Sequence, residues 1–301
     1  VALNCVANGK ILKEKIFDNI WVQPAAGDAG GSLGAVLALW HIEQNNLRKI
    51  NPNDDMQGSY LGPEYSQKQI EEQLNKSGAI YQTLKDEDLI EKVASDLSLG
   101  EAIGWFQGRM EFGPRALGAR SILGDPRSEK MQKNLNLKVK YRESFRPFAP
   151  SILKEDLTEW FDIDVDSPYM LMVSNIKKDK IIEMTDDQKN LFGIEKLNIK
   201  RSEIPAVTHV DNTARIQSVH KETNEKYFKL IKKFKEKTKC PIVVNTSFNV
   251  RGEPIVNTPI DAFNCFMGTD LDKLAIGNCY LIKKDQNSLL KKDYTKEFEL
   301  D

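Results

Sequence analysis

The chain has 301 residues, 40% of them hydrophobic and 29% charged, with a net charge of −1 at neutral pH. A chain of this size can bury a sizeable core as one large domain or two. Its near-neutral charge excludes bulk attraction to nucleic acid or anionic lipid, and no apolar run approaches the roughly 18 residues that span a bilayer.

Residues 1–50 read as strand, turn, strand, loop, helix. Val1–Val6 is apolar, "NGK" is a turn signal and "IWVQP" is a second short strand. The glycine-rich piece Gly27–Gly31 ends at Ser32, a helix N-cap, after which Leu33, Val36, Leu37 and Trp40 recur at helical spacing. An apolar strand at residue 1 needs partners on both sides, so we expect the chain to be the C-terminal part of a longer protein. Residues 51–66 are polar and turn-rich, as in a linker.

A new α/β pattern starts at Ser66, a cap for a helix carrying Ile70 and Leu74. A second helix, "DEDLIEKVASDLSLG", ends at Gly100, where a helix C-terminus prefers glycine, and "AIGWFQG" follows as a buried strand. Residues 174–203 are lysine-rich and read as a solvated insertion. "NEKYFKLIKKFKEKTK" is an amphipathic helix with Tyr227, Ile231 and Phe234 on its apolar face. It leads into the strand "CPIVVNTS", and residues 259–284 read as helix, loop, strand before a charged tail. The four cysteines, Cys5, Cys240, Cys265 and Cys279, form no CxxC pair and read as free thiols in a reducing, cytoplasmic compartment.

Arginine usage is the anomaly. Six of the ten arginines lie between positions 109 and 146, while lysines are spread throughout. Arginine's planar fork suits bidentate binding of carboxylate or phosphate. Either Arg115, Arg120, Arg127 and their neighbours pair with Glu111, Asp125 and Glu143 inside the fold, or they face an anion. Lys140, Arg142 and Arg146 alternate at even spacing, so an extended strand places all three on one face that needs an anion such as a nucleotide phosphate. "VTHVDNTARIQSV" adds Arg215 after a turn, and "VVNTSFNVRGEP" adds Asn245, Ser247, Asn249 and Arg251 after an apolar strand, where α/β ligands bind. "GDAGGSLGA" offers the backbone of Gly30 and Gly31 to phosphate and Asp28 to a metal, although it matches neither a Walker loop nor a dinucleotide fingerprint. His41, His209 and His220 are the only histidines. They support neither a triad nor a metal cluster, and His209, near Arg215, is a pocket-lining candidate.

Four segments together resemble a known family: "FQGRMEFGPRALGARSILGDPR", "VKYRESFRPFAPSIL", "PAVTHVDNTARIQSV" and "PIVVNTSFNVRGEPIV". The chain is similar there to carbamoyltransferases of the nodulation and antibiotic-tailoring type. The resemblance implies an α/β, YrdC-like open twisted mixed sheet with helices over residues 66–285, with a charged tail at 286–301. Residues 1–65 would be the end of an actin-like ATPase domain plus a linker. It implies an O-carbamoyltransferase: an upstream domain makes carbamoyladenylate from carbamoyl phosphate and ATP with a bound iron, and the YrdC-like domain transfers the carbamoyl group to a hydroxyl of a sugar, oligosaccharide or antibiotic. Catalytic roles carry onto Lys140, Arg146, Arg215 and Arg251. Nucleotide or substrate binding falls to Arg115, Arg142, Asn245, Ser247, His209, Gly30 and Gly31, and a metal contact to Asp28. The family's metal-binding histidines fall before residue 1, so residues 1–301 alone should bind the intermediate but not make it. His209 is the one candidate general base. A membrane or nucleic-acid partner is not expected, and a homodimer is open. The competing readings are a tRNA-modification-related RNA-binding protein and a non-catalytic nucleotide-binding subunit.

Overall fold

The computed structural model describes residues 1–49 and 54–294. Part of the linker (50–53) and the end of the charged tail (295–301) lie outside the described residues. The fold is mixed α/β, as expected, organised around one nine-stranded sheet. In chain order the strands are β1 (Gln82–Thr83), β2 (Ile103–Phe106), β3 (Arg120–Gly124), β4 (Ala149–Leu153), β5 (Met172–Asn175), β6 (Thr213–Val219), β7 (Ile242–Ser247), β8 (Lys273–Ile276) and β9 (Cys279–Ile282). Their spatial order is β1-β9-β8-β2-β3-β7-β4-β6-β5, with β2/β8 and β4/β6 parallel and the other neighbours antiparallel.

The helices are α1 (Cys5–Glu14), α2 (Asp28–Ala38), α3 (Gln67–Lys76), α4 (Asp86–Ser98), α5 (Met131–Lys138), the short α6 (Leu157–Trp160), α7 (Asp186–Lys189) and α8 (Gly193–Leu197), then α9 (Glu225–Thr238) and α10 (Pro259–Gly268). No helix among the described residues is long and apolar enough to cross a membrane. Ser66 and Gln69 form a capping box on α3, and Gly100, just beyond α4, takes the left-handed conformation (φ 86°) that ends many helices. Tyr227, Leu230, Ile231 and Phe234 make the buried stripe of α9, which packs on α4, β4 and β7. Burying such side chains contributes about 1.5–3 kcal/mol each. On another part of the sheet, α10 contacts β2 and β8.

Four expectations need correction. The two strands expected in residues 1–24 are absent: Cys5–Glu14 is helical, capped by Asn4, and 20–24 is irregular. The "NG" that reads as a turn sits inside α1 because the helix is pressed on β5. Asn8 donates to the Leu171 carbonyl at 3.0 Å, and a side chain at Gly9 would stand 2.2 Å from the Val173 oxygen. Helix α2 begins at Asp28 with Gly27 as its cap, not at Ser32, so Gly30 and Gly31 lie in a helical turn rather than a loop. Gly30 allows close approach to the Ala25 carbonyl. Residues 139–146 form no strand, and 273–282 form two strands around a Gly277–Asn278 turn rather than one. The insertion at 174–203 carries short helices, and its ends tuck in through Ile176 and Ser202.

Candidate functional site

The glycine–proline loop from Glu111 to Arg120 is fixed from both sides. Glu111 is buried, and its Oε1 accepts from the backbone N–H groups of Leu117 (2.7 Å), Ala119 (2.7 Å) and Arg120 (3.3 Å). The loop's carbonyls accept from buried side chains: Ala116 from Asn245 (3.1 Å), Leu117 from Gln217 (2.7 Å) and Tyr60 (2.6 Å), and Gly118 from Trp105 (3.0 Å). Partners for these inward-facing backbone groups allow an irregular loop to be buried.

The arginines of this stretch separate by role. Arg120 is fully buried; its guanidinium donates to the carbonyls of Gln107, Gly108, Ala119 and Pro63 and lies 3.6 Å from the Phe106 ring centroid. Burial pushes it down to about 10, partly offset by the nearby Glu111 carboxylate. Arg127 forms a bidentate pair with Asp125 at 2.9 and 2.6 Å. Both are structural. Arg115 is only partly buried, and its charge lowers the pKa of Arg215.

A second group of cations surrounds a pocket of about 270 Å³ lined by Lys140, Arg142, Arg146, Ser247, Asn249, Val250, Arg251 and Gly252. These side chains come from the exit of α5 and from the turn after β7. The sequence grouped Lys140, Arg142 and Arg146 correctly but for the wrong reason, since a turn and not strand alternation brings them together. Buried Lys140 donates to the Ser247 carbonyl, to Ser247 Oγ (3.1 Å), and to the carbonyl and Oδ1 of Asn249 (2.8 and 2.7 Å). Burial and then the Arg142 charge push the Lys140 ammonium down to about 7. Burial and then Arg146 push Arg142 down to about 10. Arg146 pairs with the half-exposed Glu143 at 3.0 Å. The pocket lining itself holds no carboxylate, so positive charges reinforce one another in a site of reduced dielectric, where an anion is strongly attracted.

Arg215, at the third position of β6, adds a further cation. Burial, and then the charges of Arg115 and Arg142, push it down to about 10. Neither Arg115 nor Arg215 lines the pocket. Asn245, expected as a loop ligand, is a correction: it is buried within β7 and braces the glycine–proline loop and Gln217. His209 caps the turn into β6, with its Nδ1 2.9 Å from Thr213 Oγ1, and does not line the pocket. Burial lowers its pKa first, and Arg215 lowers it further against Asp211, so the imidazole is neutral at pH 7. Asp28 stands in the exposed first turn of α2. Among the described residues no three His, Cys, Asp or Glu side chains converge on a metal-sized site. Asp28 therefore has no companion ligands among the described residues, which do not by themselves fit an iron site.

Sequence reasoning missed two members of the site. Asn136 is fully buried beneath the 142–146 turn, and its only signal was an asparagine on the apolar side of a short helix. Glu253 sends Oε2 to the Val250 N–H (2.8 Å), while its carbonyl accepts from Asn249 Nδ2 (2.6 Å), which holds the Asn249 side chain toward Lys140. A larger cleft of about 960 Å³ lies elsewhere, lined by groups that include Asp54, Arg109, Asp166, His220 and Lys226. Its mixed charges oppose one another, so it lacks the one-sign field of the smaller pocket.

The carbamoyltransferase C-terminus family model matches residues 94–284, and the carbamoyltransferase N-terminus model matches residues 1–37. An uncharacterized protein, sll1178, of a Synechocystis strain is 55% identical over all of this chain and 49% of its own length. The nodulation protein NolNO of Sinorhizobium fredii is 42% identical over 94% of this chain and 39% of its own. The 3'-hydroxymethylcephem-O-carbamoyltransferase of Streptomyces clavuligerus is 28% identical over 92% of this chain and 46% of its own. The chain thus spans about half or less of the length of these relatives. Among solved structures, full-length HypF in its phosphate- and nucleotide-bound form covers 69% of this chain and 22% of its own at 15% identity and a TM-score of 0.39, too loose to carry an argument.

Proposed function

The chain belongs to the carbamoyltransferase family, and from that premise we propose that its Lys140–Arg251 pocket binds the phosphate of carbamoyladenylate in an O-carbamoyl transfer. The whole protein would draw the intermediate from carbamoyl phosphate and ATP and pass its carbamoyl group to a hydroxyl of a sugar or secondary-metabolite acceptor. In the transfer step the acceptor oxygen bonds to the carbamoyl carbon. The carbon–oxygen bond to the phosphate breaks, and AMP leaves with the bonding electron pair while the hydroxyl proton goes to solvent or a base.

One observation carries this reading: Lys140, Arg142, Arg146 and Arg251 converge with Ser247 and Asn249 on one pocket lined by no carboxylate. Cations fixed around a phosphate stabilise the charge that gathers on it as the anhydride breaks. At about 270 Å³ the pocket suits the phosphate end of the molecule better than a whole nucleotide. Arg215, whose charge is felt by Arg115 and Arg142, would add longer-range attraction. Lys140 is held by the oxygens of Ser247 and Asn249, so we assign the lining residues to binding and orienting the phosphate.

Calorimetric titration with AMP and with carbamoyl phosphate tests the reading. Either anion should bind, and Arg251→Ala should weaken binding by about tenfold or more, the usual scale for losing one charge-assisted contact. Folded protein that binds neither ligand at millimolar concentration would overturn it.

A further inference from the structure

The pocket raises a physical problem. Lys140, Arg142 and Arg146 lie within seven residues of one chain segment, and like charges so close should drive the segment open. Glu143 is the one acid between them, is half exposed and is spent on Arg146. Something else must hold the segment closed.

The buried side chain of Asn136, on the last turns of α5, is placed to do so. Its backbone carbonyl accepts the Arg142 N–H at 3.0 Å, and its Oδ1 accepts Arg142 Nε at 2.7 Å. Its Nδ2 donates to the carbonyls of Ser144 (3.1 Å) and Arg146 (2.8 Å). Every polar group of the side chain is thus committed to the cationic segment. The chain folds back over α5 because Tyr141 adopts a left-handed backbone (φ 49°), a costly conformation for a bulky residue, while its hydroxyl donates to the Gly268 carbonyl at 2.8 Å. Strain of this kind persists only where the surroundings enforce it.

We infer that Asn136, with the Tyr141 turn behind it, is the positioning residue of the anion pocket, holding Arg142 and the Ser144–Arg146 backbone ready for phosphate. An amide suits this task better than a carboxylate. Asp at 136 would grip Arg142 equally well, but it would cancel the charge the ligand needs and would face two carbonyls without a proton to donate. Asn136 fixes the guanidinium and leaves its charge available. Preorganisation of this kind raises affinity by removing the cost of ordering the cations on binding.

This inference rests on the proposed phosphate-binding role of the pocket, and the experiment separates the two. AMP affinity and thermal unfolding are measured for the protein and for Asn136→Asp, Asn136→Ala and Tyr141→Phe, with the Arg142 Nε–H followed by NMR. Lack of AMP binding by the unaltered protein counts against the pocket reading itself. If the unaltered protein binds, Asn136→Asp, measured where it remains folded, should keep a protected Arg142 Nε–H yet bind AMP at least tenfold more weakly, a loss larger than its loss of stability explains. Asn136→Ala should lose both the protected Nε–H and the affinity. Tyr141→Phe, which keeps the ring and loses the tether, should fold and bind about three- to tenfold more weakly. AMP affinities within twofold of the unaltered protein in the folded variants overturn the inference. So does an affinity loss that merely follows loss of stability. If either Asn136 variant fails to fold, Tyr141→Phe decides by the same twofold limit.

Discussion

The Lys140 ammonium lies 2.7 Å from Asn249 Oδ1 and 2.8 Å from the Asn249 carbonyl. These contacts join the exit of α5 to the turn after β7, two segments more than a hundred residues apart in the chain. They also place a charge-bearing nitrogen in the interior beside Arg142, so its protonation is tied to both folding and ligand binding.

Burial and the Arg142 charge hold folded Lys140 at about 7, against 10.5 for an ordinary lysine, with only a modest opposing pull from groups such as Glu253. Between those values the unfolded chain carries a proton that the folded protein lacks. The stability contribution of Lys140 should therefore rise as pH goes from 7 towards 10.5, and its cost should be fully present below 7. A bound phosphate should restore the ordinary preference for the ammonium. At pH 8, AMP binding should take up a fraction of a proton approaching one, seen as a dependence of the calorimetric heat on buffer ionisation. Lys140→Met should abolish that uptake; an unchanged uptake in this variant would assign the proton elsewhere.

Glu111 should matter for stability more than for ligand contact. Its carboxylate accepts three backbone N–H groups of the glycine–proline loop. Glu111→Ala leaves those buried donors without a partner and should cost about 3 kcal/mol or more. Urea unfolding followed by circular dichroism measures this as a lower midpoint with an unchanged slope. A loss below about 1 kcal/mol would show that water or neighbouring groups replace the carboxylate.

Gly118 should not tolerate a side chain. Its φ is 107°, and an added Cβ would stand 2.3 Å from the Tyr227 ring. Gly118→Ala should destabilise the fold by about 3 kcal/mol or more through backbone strain and overlap. Adding Tyr227→Leu should recover part of the loss by relieving the overlap but not the strain. Thermal unfolding of both variants checks this, and a neutral Gly118→Ala would contradict it.

Several elements are written in local sequence. The capping box at Ser66 and Gln69, the four-residue apolar stripe of α9 and the buried runs of β2 and β7 each arise from neighbours along the chain. Local periodicity sufficed there because the burying face was itself periodic. It failed at residues 5–14, where Asn8 and Gly9 spell a turn, since α1 is stabilised by contact with Leu171 and Val173. It failed at 273–282 because the Gly277–Asn278 turn interrupts an otherwise continuous apolar pattern.

The sequence by itself determined which residue types gather: six of the ten arginines within positions 109–146 of a lysine-rich chain, and polar residues following the β7 strand. Only the tertiary structure decided what each one does. Asn245 and Arg120 turn inward because buried carbonyls 116–119 need donors. Lys140 meets Ser247 and Asn249 because β7 runs through the middle of the sheet beside the end of α5. Asn136 acquires its role because the chain doubles back at Tyr141. Spacing along a chain reports side-chain faces only while the backbone is regular, and the cations of this pocket sit where it is not.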